Sequence, residues 1–215
     1  MRKPLDTSRQ PYPIEILSHE RVYDRHLKVD ELHLRHGLFR GGMTPLISRE
    51  VVGRGDAVCV LPYDPVRDEV VLAEQFRTSA LLNGDRAWMT EIVAGLIEEG
   101  ESLEEVALRE MKEESGLDPN GPLIFVNTVY ATPGFCSERY HLFCAPVDAG
   151  KAGGVHGLGE EAEDIRVFAL PFADAFARWE AGEIPNPPAT FALLWLSLHR
   201  EKLRRNWADP RGLRP

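Results

Sequence analysis

GLIEEGESLEEVALREMKEESGL, residues 95–117, is the stretch on which the reading of this chain turns. Ser102 followed by Glu105 is a capping-box pattern, so a helix is expected to begin near Ser102. Leu103, Val106, Ala107 and Met111 recur at helical spacing and would form its buried stripe. Gly116 is placed to end the helix in a left-handed conformation. Glu110, Glu113 and Glu114 stand at i, i+3 and i+4, which puts three carboxylates on one face. Such close like charges repel, and in an ordinary acidic helix they form a solvated face. That reading leaves Gly95, Glu101, Arg109 and Gly116 unexplained, all of which fall at fixed distances around the carboxylates. Clustered hard oxygen donors suit Mg2+ or Mn2+, which prefer carboxylates, carbonyls and water.

The whole stretch fits G-x5-E-x7-R-E-U-x-E-E-x-G-U, where U is bulky and apolar. Seven fixed identities at roughly 6% usage each make a chance match on the order of one in 10^8 or rarer per starting point. The pattern is the signature of the Nudix hydrolases, and the chain resembles that superfamily. The resemblance implies hydrolysis of a nucleoside diphosphate linked to another moiety. It also implies Glu110 and Glu114 as the main metal ligands, the Ala94 backbone carbonyl as a further ligand, Glu113 as a secondary one, and two or three ions. Arg109 and Glu101 are expected to pair and brace the loop–helix–loop; as an ordinary surface salt bridge the pair would be worth little.

Composition sets the bounds. At 215 residues the chain has room for one good-sized core and a small extra module. Its formal charge of −9 leaves no basic footprint for nucleic acid. Anionic substrates then need local compensation, which bound divalent metal would provide. Cys59, Cys136 and Cys144 are odd in number and form no CxxC, which argues against a disulfide framework or zinc site and fits a reducing cytoplasm. MRKPLDTSRQPYP lacks the apolar core of a secretory signal, and no apolar run approaches a membrane span.

Along the chain, an extended Pro-containing arm precedes a small β module ending at residue 50. IEILSHERVYD and LKVDELHLRHG alternate apolar and polar residues, although Val29, Leu32 and Leu34 share one side only with some irregularity. Three short strands make a marginal unit, so the module is expected to pack on the main domain, residues 51–215, or on a partner subunit. In that domain DAVCVLPYD, VRDEVVLAEQFR, WMTEIVAGL, PLIFVNTVYATPG, ERYHLFCAPV and IRVFALP read as strands. PFADAFARWEAGEI and residues 188–206 read as helices, the second burying Phe191, Leu194, Trp195 and Leu198. The fold class is therefore α+β: a mixed sheet between helices, the Nudix α/β/α sandwich, plus the small N-terminal antiparallel module.

The substrate must be read outside residues 95–117. Residues 23–199 resemble the ADP-ribose pyrophosphatase subgroup, which carries a proline 16 residues after the signature, here Pro133. LPYDPVRDEVVLAEQFR resembles its strand pair and HGLGEEAEDIRV its mobile catalytic loop. The resemblance implies Glu161 as general base and Glu163 as an additional metal ligand. It implies substrate contacts at Arg49, Glu50, Arg54, Arg77, Leu96, Pro133, Gly134 and Glu138, and arginine suits phosphate oxygens by its fork geometry. Where some relatives stack an aromatic side chain from the partner subunit on adenine, this chain has His26 and Leu27, so a homodimer with a shared site is implied. His156 is a weaker candidate base than the acidic loop, because it sits among glycines. Two other activities stay open: hydrolysis of GDP-mannose or ADP-glucose, and non-catalytic ADP-ribose sensing. The intact signature and the lack of a basic or helix-turn-helix region weigh against the sensor.

Overall fold

The alternating N-terminal segments pair as strands: β1 (Ile14–Asp24), β2 (Lys28–His36) and β3 (Ile47–Gly53) form an antiparallel sheet in the order β1-β2-β3. β2 and β3 pair in regular register. The irregularity lies on β1, where the register slips between Ile16 and Ser18 and again between Arg21 and Tyr23. Extra residues bulge there because the side-chain period of a strand is strictly two, and a bulge is how a strand changes which side chains face inward. These coordinates, a computed structural model, describe residues 5–208, and the side chains of Glu161 and Ala208 are outside the described set. The ends of the expected arm and of the main domain, residues 1–4 and 209–215, also lie outside it. The chain divides into two compact units, Met1–Gly55 with Tyr130–Arg139, and Asp56–Val129 with Tyr140–Pro215. In the first, the Pro-Gly loop is tied to β3 by the Val52 N–H to Phe135 C=O bond at 2.8 Å and the Ser137 N–H to Val52 C=O bond at 2.9 Å.

The second unit is built on runs that are apolar at nearly every position, as strands covered on both faces must be. They are β4 (Ala57–Asp64) and β5 (Glu69–Phe76), followed by α1 (Thr78–Leu82), β6 (Trp88–Glu91), β7 (Val93–Leu96) and α2 (Leu103–Ser115). Then come β8 (Ile124–Tyr130), β9 (Arg139–Pro146), β10 (Val155–His156), β11 (Ile165–Pro171), α3 (Phe172–Glu180) and α4 (Pro187–Ala208). The sheet order is β10-β11-β5-β4-β9-β8, with β6 on β5 and β7 on β4. β4 runs parallel to β9 and antiparallel to β5 and β7, so the sheet is mixed. Residue parity separates two cores. Val58, Val60, Val71, Ala73 and Val93 meet Val106, Ala107 and Met111 of α2. Cys59, Leu61, Tyr63, Val70 and Leu72 meet Phe172, Ala175, Ala189 and Leu193 of α3 and α4. Helices therefore cover both faces, the sandwich that the sequence implies.

Three local expectations need correction. WMTEIVAGL is two strands, because β4 and β5 pair only at Tyr63–Val70 and Asp64–Glu69 and then part. The chain bridges the gap, pairing first with β5 and then, after Ile92, with β4. The five residues of α1 are too short to show a period and were not expected. In α4 the buried stripe is Ala189, Ala192, Leu193, Leu196 and Leu203, while Leu194 and Leu198 are 39% and 82% exposed. Phe191 and Trp195 are only partly buried against that core. Residues 191–198 are apolar at all but Ser197, so periodicity does not choose the phase; the small Ala189 and Ala192 let the helix approach the sheet. No described helix is long and apolar enough to cross a membrane. Leu193→Ala is expected to lower unfolding free energy by about 2–5 kcal/mol. Leu198→Ala should stay within about 0.5 kcal/mol, and equal losses in urea titrations would refute the phase.

Candidate active site

The α2 helix is fixed at both ends by its own sequence. Ser102 accepts from the Glu105 N–H at 3.3 Å while Glu105 accepts from the Ser102 N–H at 2.8 Å, the reciprocal capping box. Gly116 ends the helix at φ +69°, a left-handed value that glycine adopts without penalty. Val106, Ala107 and Met111 are fully buried, which holds the adjoining acidic face against β7. There Glu114 Oε2 accepts the Ala94 N–H at 2.9 Å. Glu110 lies over Gly95 so closely that a Cβ at that glycine would sit 1.7 Å from Oε1 and 2.4 Å from Oε2. Any side chain at 95 would evict the carboxylate.

Arg109 is more than half of a surface pair. Its Nε and Nη2 donate to the two Glu101 oxygens at 2.8 and 3.0 Å, and Nη2 also donates to the Leu96 carbonyl at 3.2 Å. Nη1 donates to Glu110 Oε1 at 2.6 Å and Glu113 Oε2 at 3.2 Å. One planar guanidinium thus joins β7, the following loop and α2 by charge-assisted bonds. Glu101, held by Arg109 and by the Glu98 N–H, has its pKa lowered.

Burial drives the electrostatics of the acidic face. Glu110 and Glu114 are both buried. Burial pushes the Glu114 carboxyl up to about 8, with repulsion from Glu110 and Glu163 adding, against the Ala94 N–H and Arg77. The Glu110 carboxyl is also raised, by burial first and by Glu113 and Glu163, against Arg109. Arg77 faces this cluster and is itself held by Glu91, with Nη2 to Oε2 at 2.6 Å and Nε to Oε1 at 3.1 Å. Among the described residues no three His, Cys, Asp or Glu side chains yet converge on one point, since Glu110 and Glu113 are turned to Arg109 and Glu114 to Ala94. The donor set nonetheless fits a hard divalent cation. Both buried carboxylates keep raised pKa values although Arg109 bonds Glu110 and Arg77 faces Glu114, their donor atoms are all oxygens, and Gly95 leaves room for Glu110.

The acidic loop folds on itself beside this face. Leu158 N–H donates to Glu163 Oε2 at 3.1 Å and Glu163 N–H to the Leu158 carbonyl at 3.2 Å. Glu163 is near enough to add to the raised pKa values of Glu110 and Glu114. The Glu161 side chain lies outside the described residues. His156 donates from Nε2 to the Gly153 carbonyl at 2.8 Å and packs on Gly116.

The remaining candidates belong to the first unit. His26 and Leu27 are exposed at the β1–β2 hairpin tip. Arg49 and Glu50 are exposed on β3, with Arg49 Nη1 donating to the Ser48 carbonyl at 2.7 Å. Arg54 pairs with Glu138 at 3.4 Å, and Pro133 and Gly134 form the turn of the loop tied to β3. Leu96 supplies the carbonyl that holds Arg109. Sequence reasoning missed Glu91, which sits inside an apolar strand run, where alternation offered only a solvent-facing polar residue. No local signal pointed to it, because its partner Arg77 lies on a different segment of the chain.

Comparison with known proteins agrees with this geometry. The NUDIX domain model matches residues 53–209. The chain is 44% identical over 197 residues to the ADP-ribose pyrophosphatase of Escherichia coli (strain K12), covering 91% of this chain and 93% of that protein. It is 34% identical over 179 residues to the GDP-mannose pyrophosphatase of Pectobacterium atrosepticum, covering 81% and 89%. A crystal structure of an ADP compounds hydrolase superposes with a TM-score of 0.66 at 24% identity, covering 90% of this chain and 95% of that one. With the signature, the buried carboxylates and the sandwich in place, this chain belongs to the Nudix hydrolase family.

Proposed function

We propose that this chain hydrolyses ADP-ribose to AMP and ribose 5-phosphate. Similarity over most of its length to ADP-ribose pyrophosphatases is the observation that carries the substrate. Water adds to one phosphorus of the diphosphate as the bridging P–O bond breaks, and the proton from the water must find a base. Glu161, on the acidic loop, takes that role. Glu110 and Glu114 would hold Mg2+, or Mn2+ in its place, with the Ala94 carbonyl, Glu113 and Glu163 as further ligands for two or three ions. When bound, the cation supplies Lewis acidity that acidifies water and offsets charge on the phosphoryl oxygens. Arg77, aimed by Glu91, and Arg54, aimed by Glu138, donate to the phosphates. Positioning and electrostatics do most of the work in such a transfer. Incubation with ADP-ribose and Mg2+ should release AMP. Turnover of GDP-mannose or ADP-glucose without ADP-ribose turnover would replace this reading with the second one, which the GDP-mannose pyrophosphatase similarity favours.

The first unit, with the dimerising β module of residues 1–50, makes the protein a homodimer in the cytoplasm. In it His26, Leu27, Arg49 and Glu50 reach the partner's substrate, and Leu96, Pro133 and Gly134 are further substrate contacts. Its three strands are too few to stand alone, and two-fold dimers are the commonest oligomers. Light scattering should give a dimer at micromolar concentration. A monomer there, or full ADP-ribose affinity after removal of residues 1–50, would overturn the shared site.

Two substitutions separate ligand from base. Glu114→Gln keeps shape but removes a ligand charge, and should cost about two or more orders of magnitude in activity with folding intact. Glu161→Gln should lower kcat by about 10^2–10^4 with little change in KM, the range of a general base. Glu160→Gln, one residue away, should be nearly neutral. A neutral Glu161→Gln would move the base to Glu113 or Glu138, and unchanged rates for Glu114→Gln at saturating Mg2+ would remove Glu114 from the site.

A further inference from the structure

We infer that His156 is a positioning residue: it locks the root of the acidic loop onto the C-terminal end of α2, and so sets where Glu161 and Glu163 stand. The inference rests on the role proposed above for that loop. Its basis is a seat built by missing side chains. The imidazole occupies the space over Gly116, where a Cβ would lie 2.7 Å from Cε1 and 3.2 Å from Nδ1. A Cβ on Gly154 would lie 3.4 Å from Nε2. Nε2 donates to the Gly153 carbonyl at 2.8 Å, which fixes the ring in its seat. The next residue, Gly157, then donates its N–H to the Glu113 carbonyl at 3.2 Å, on the helix turn that carries the acidic face. Gly157 lies at φ +99°, and a Cβ there would meet the Glu163 Cβ at 2.6 Å.

The loop is thus a small closed ring from Leu158 to Glu163, held to the helix at one root. The other root enters β11, which pairs with β10 at Val155–Arg166 and His156–Ile165 and along β5 from Arg166 onward. Between the roots there is no other backbone hydrogen bond to α2 among the described residues. The root at residues 156 and 157 is therefore the contact through which the helix and the loop share one geometry. This gives Gly116 a second duty beyond its left-handed φ, since it is also the floor of the imidazole seat. It also gives the glycine-rich approach a purpose other than flexibility. Gly153 and Gly154, at φ +146° and +91°, turn the chain so that a carbonyl and an open backbone surround the ring.

The test is a double-mutant cycle with an exchange readout. His156→Ala should lower kcat about tenfold or more while KM moves less than about threefold, because ground-state contacts to substrate are untouched. His156→Gln, which keeps a donor for the Gly153 carbonyl, should recover most of the rate. In the Glu161→Gln background the further loss from His156→Ala should shrink to less than about twofold, the non-additivity expected when one residue acts through another. Hydrogen exchange of the Gly157 and Glu163 amides should speed up in His156→Ala, while the Gly116 amide, bonded to Lys112 within the helix end, keeps its protection. The same rate loss in both backgrounds, or unchanged exchange at Gly157 and Glu163, would overturn the inference. If Glu161→Gln alone proves neutral, the proposed base falls while the exchange result still decides whether His156 anchors the loop.

Discussion

The close approach of α2 to β7 at Gly95 is the constraint on which the rest depends. It presses two carboxylates out of water where only a strand without a side chain can receive them. The cost is large. Raising Glu114 from 4.5 to about 8 corresponds to about 5 kcal/mol. A carboxyl pKa raised on folding weakens the fold as pH rises from the unfolded value to the folded one, so this cost is absent in acid, partly in force at neutral pH and complete only above about pH 8. Val106, Met111 and Leu117 are buried on the same helix and its exit, each contributing about 1.5–3 kcal/mol. Their burial offsets part of the carboxylate penalty on the same helix. A cation would then relieve a strain already built in, which is how perturbed carboxylates come to mark functional sites.

Arg109 decides why the cluster holds together before a cation arrives. It gives Glu110 and Glu113 a shared positive partner and ties the helix to β7 and the intervening loop. A lysine could not do this, since it lacks the planar fork that reaches Glu101, Glu110 and the Leu96 carbonyl together. For the same reason Arg109 competes with any cation for Glu110, and the carboxylate has two claimants. Among the described residues Glu114 has no such cationic partner in hydrogen-bonding contact, and it accepts the Ala94 N–H instead. Of the two, Glu114 is the more available for a metal.

What was legible in the sequence follows from the range of the forces involved. The cap at Ser102, the stop at Gly116 and the buried stripe of α2 are set by residues within a few positions of one another, and all three are seen. The full set at residues 95–117 reads as chemistry because its spacing is local too. The phase of α4 was not legible, since an apolar run shows no preferred face until the sheet chooses one. The split of β6 from β7 was not legible either, because it depends on where β4 and β5 part, a property of strands some twenty or more residues away. Glu91 and the seat of His156 are invisible for the same reason: each is defined by a partner from a distant stretch, Arg77 in one case and Gly116 in the other.

The division of the candidate residues has a consequence for how substrates are chosen. The residues proposed for metal and base, Ala94, Glu110, Glu113, Glu114, Glu161 and Glu163, all belong to the second unit, and the family match begins where β3 ends. Most of those proposed to read the substrate, from His26 to Arg54 and from Pro133 to Glu138, belong to the first. Glu110 and Glu114 of the first group are constrained by burial, and a changed side chain at Gly95 or Arg109 disturbs them directly. The second group sits on hairpin tips, an exposed strand and a turn, where substitution costs little stability. Chemistry can thus stay fixed while recognition drifts, because the two are under different physical restraint. That separation fits the similarity of this chain both to ADP-ribose and to GDP-mannose pyrophosphatases. It also explains why residues 95–117 identify the reaction while the substrate has to be read from side chains that nothing in the core compels.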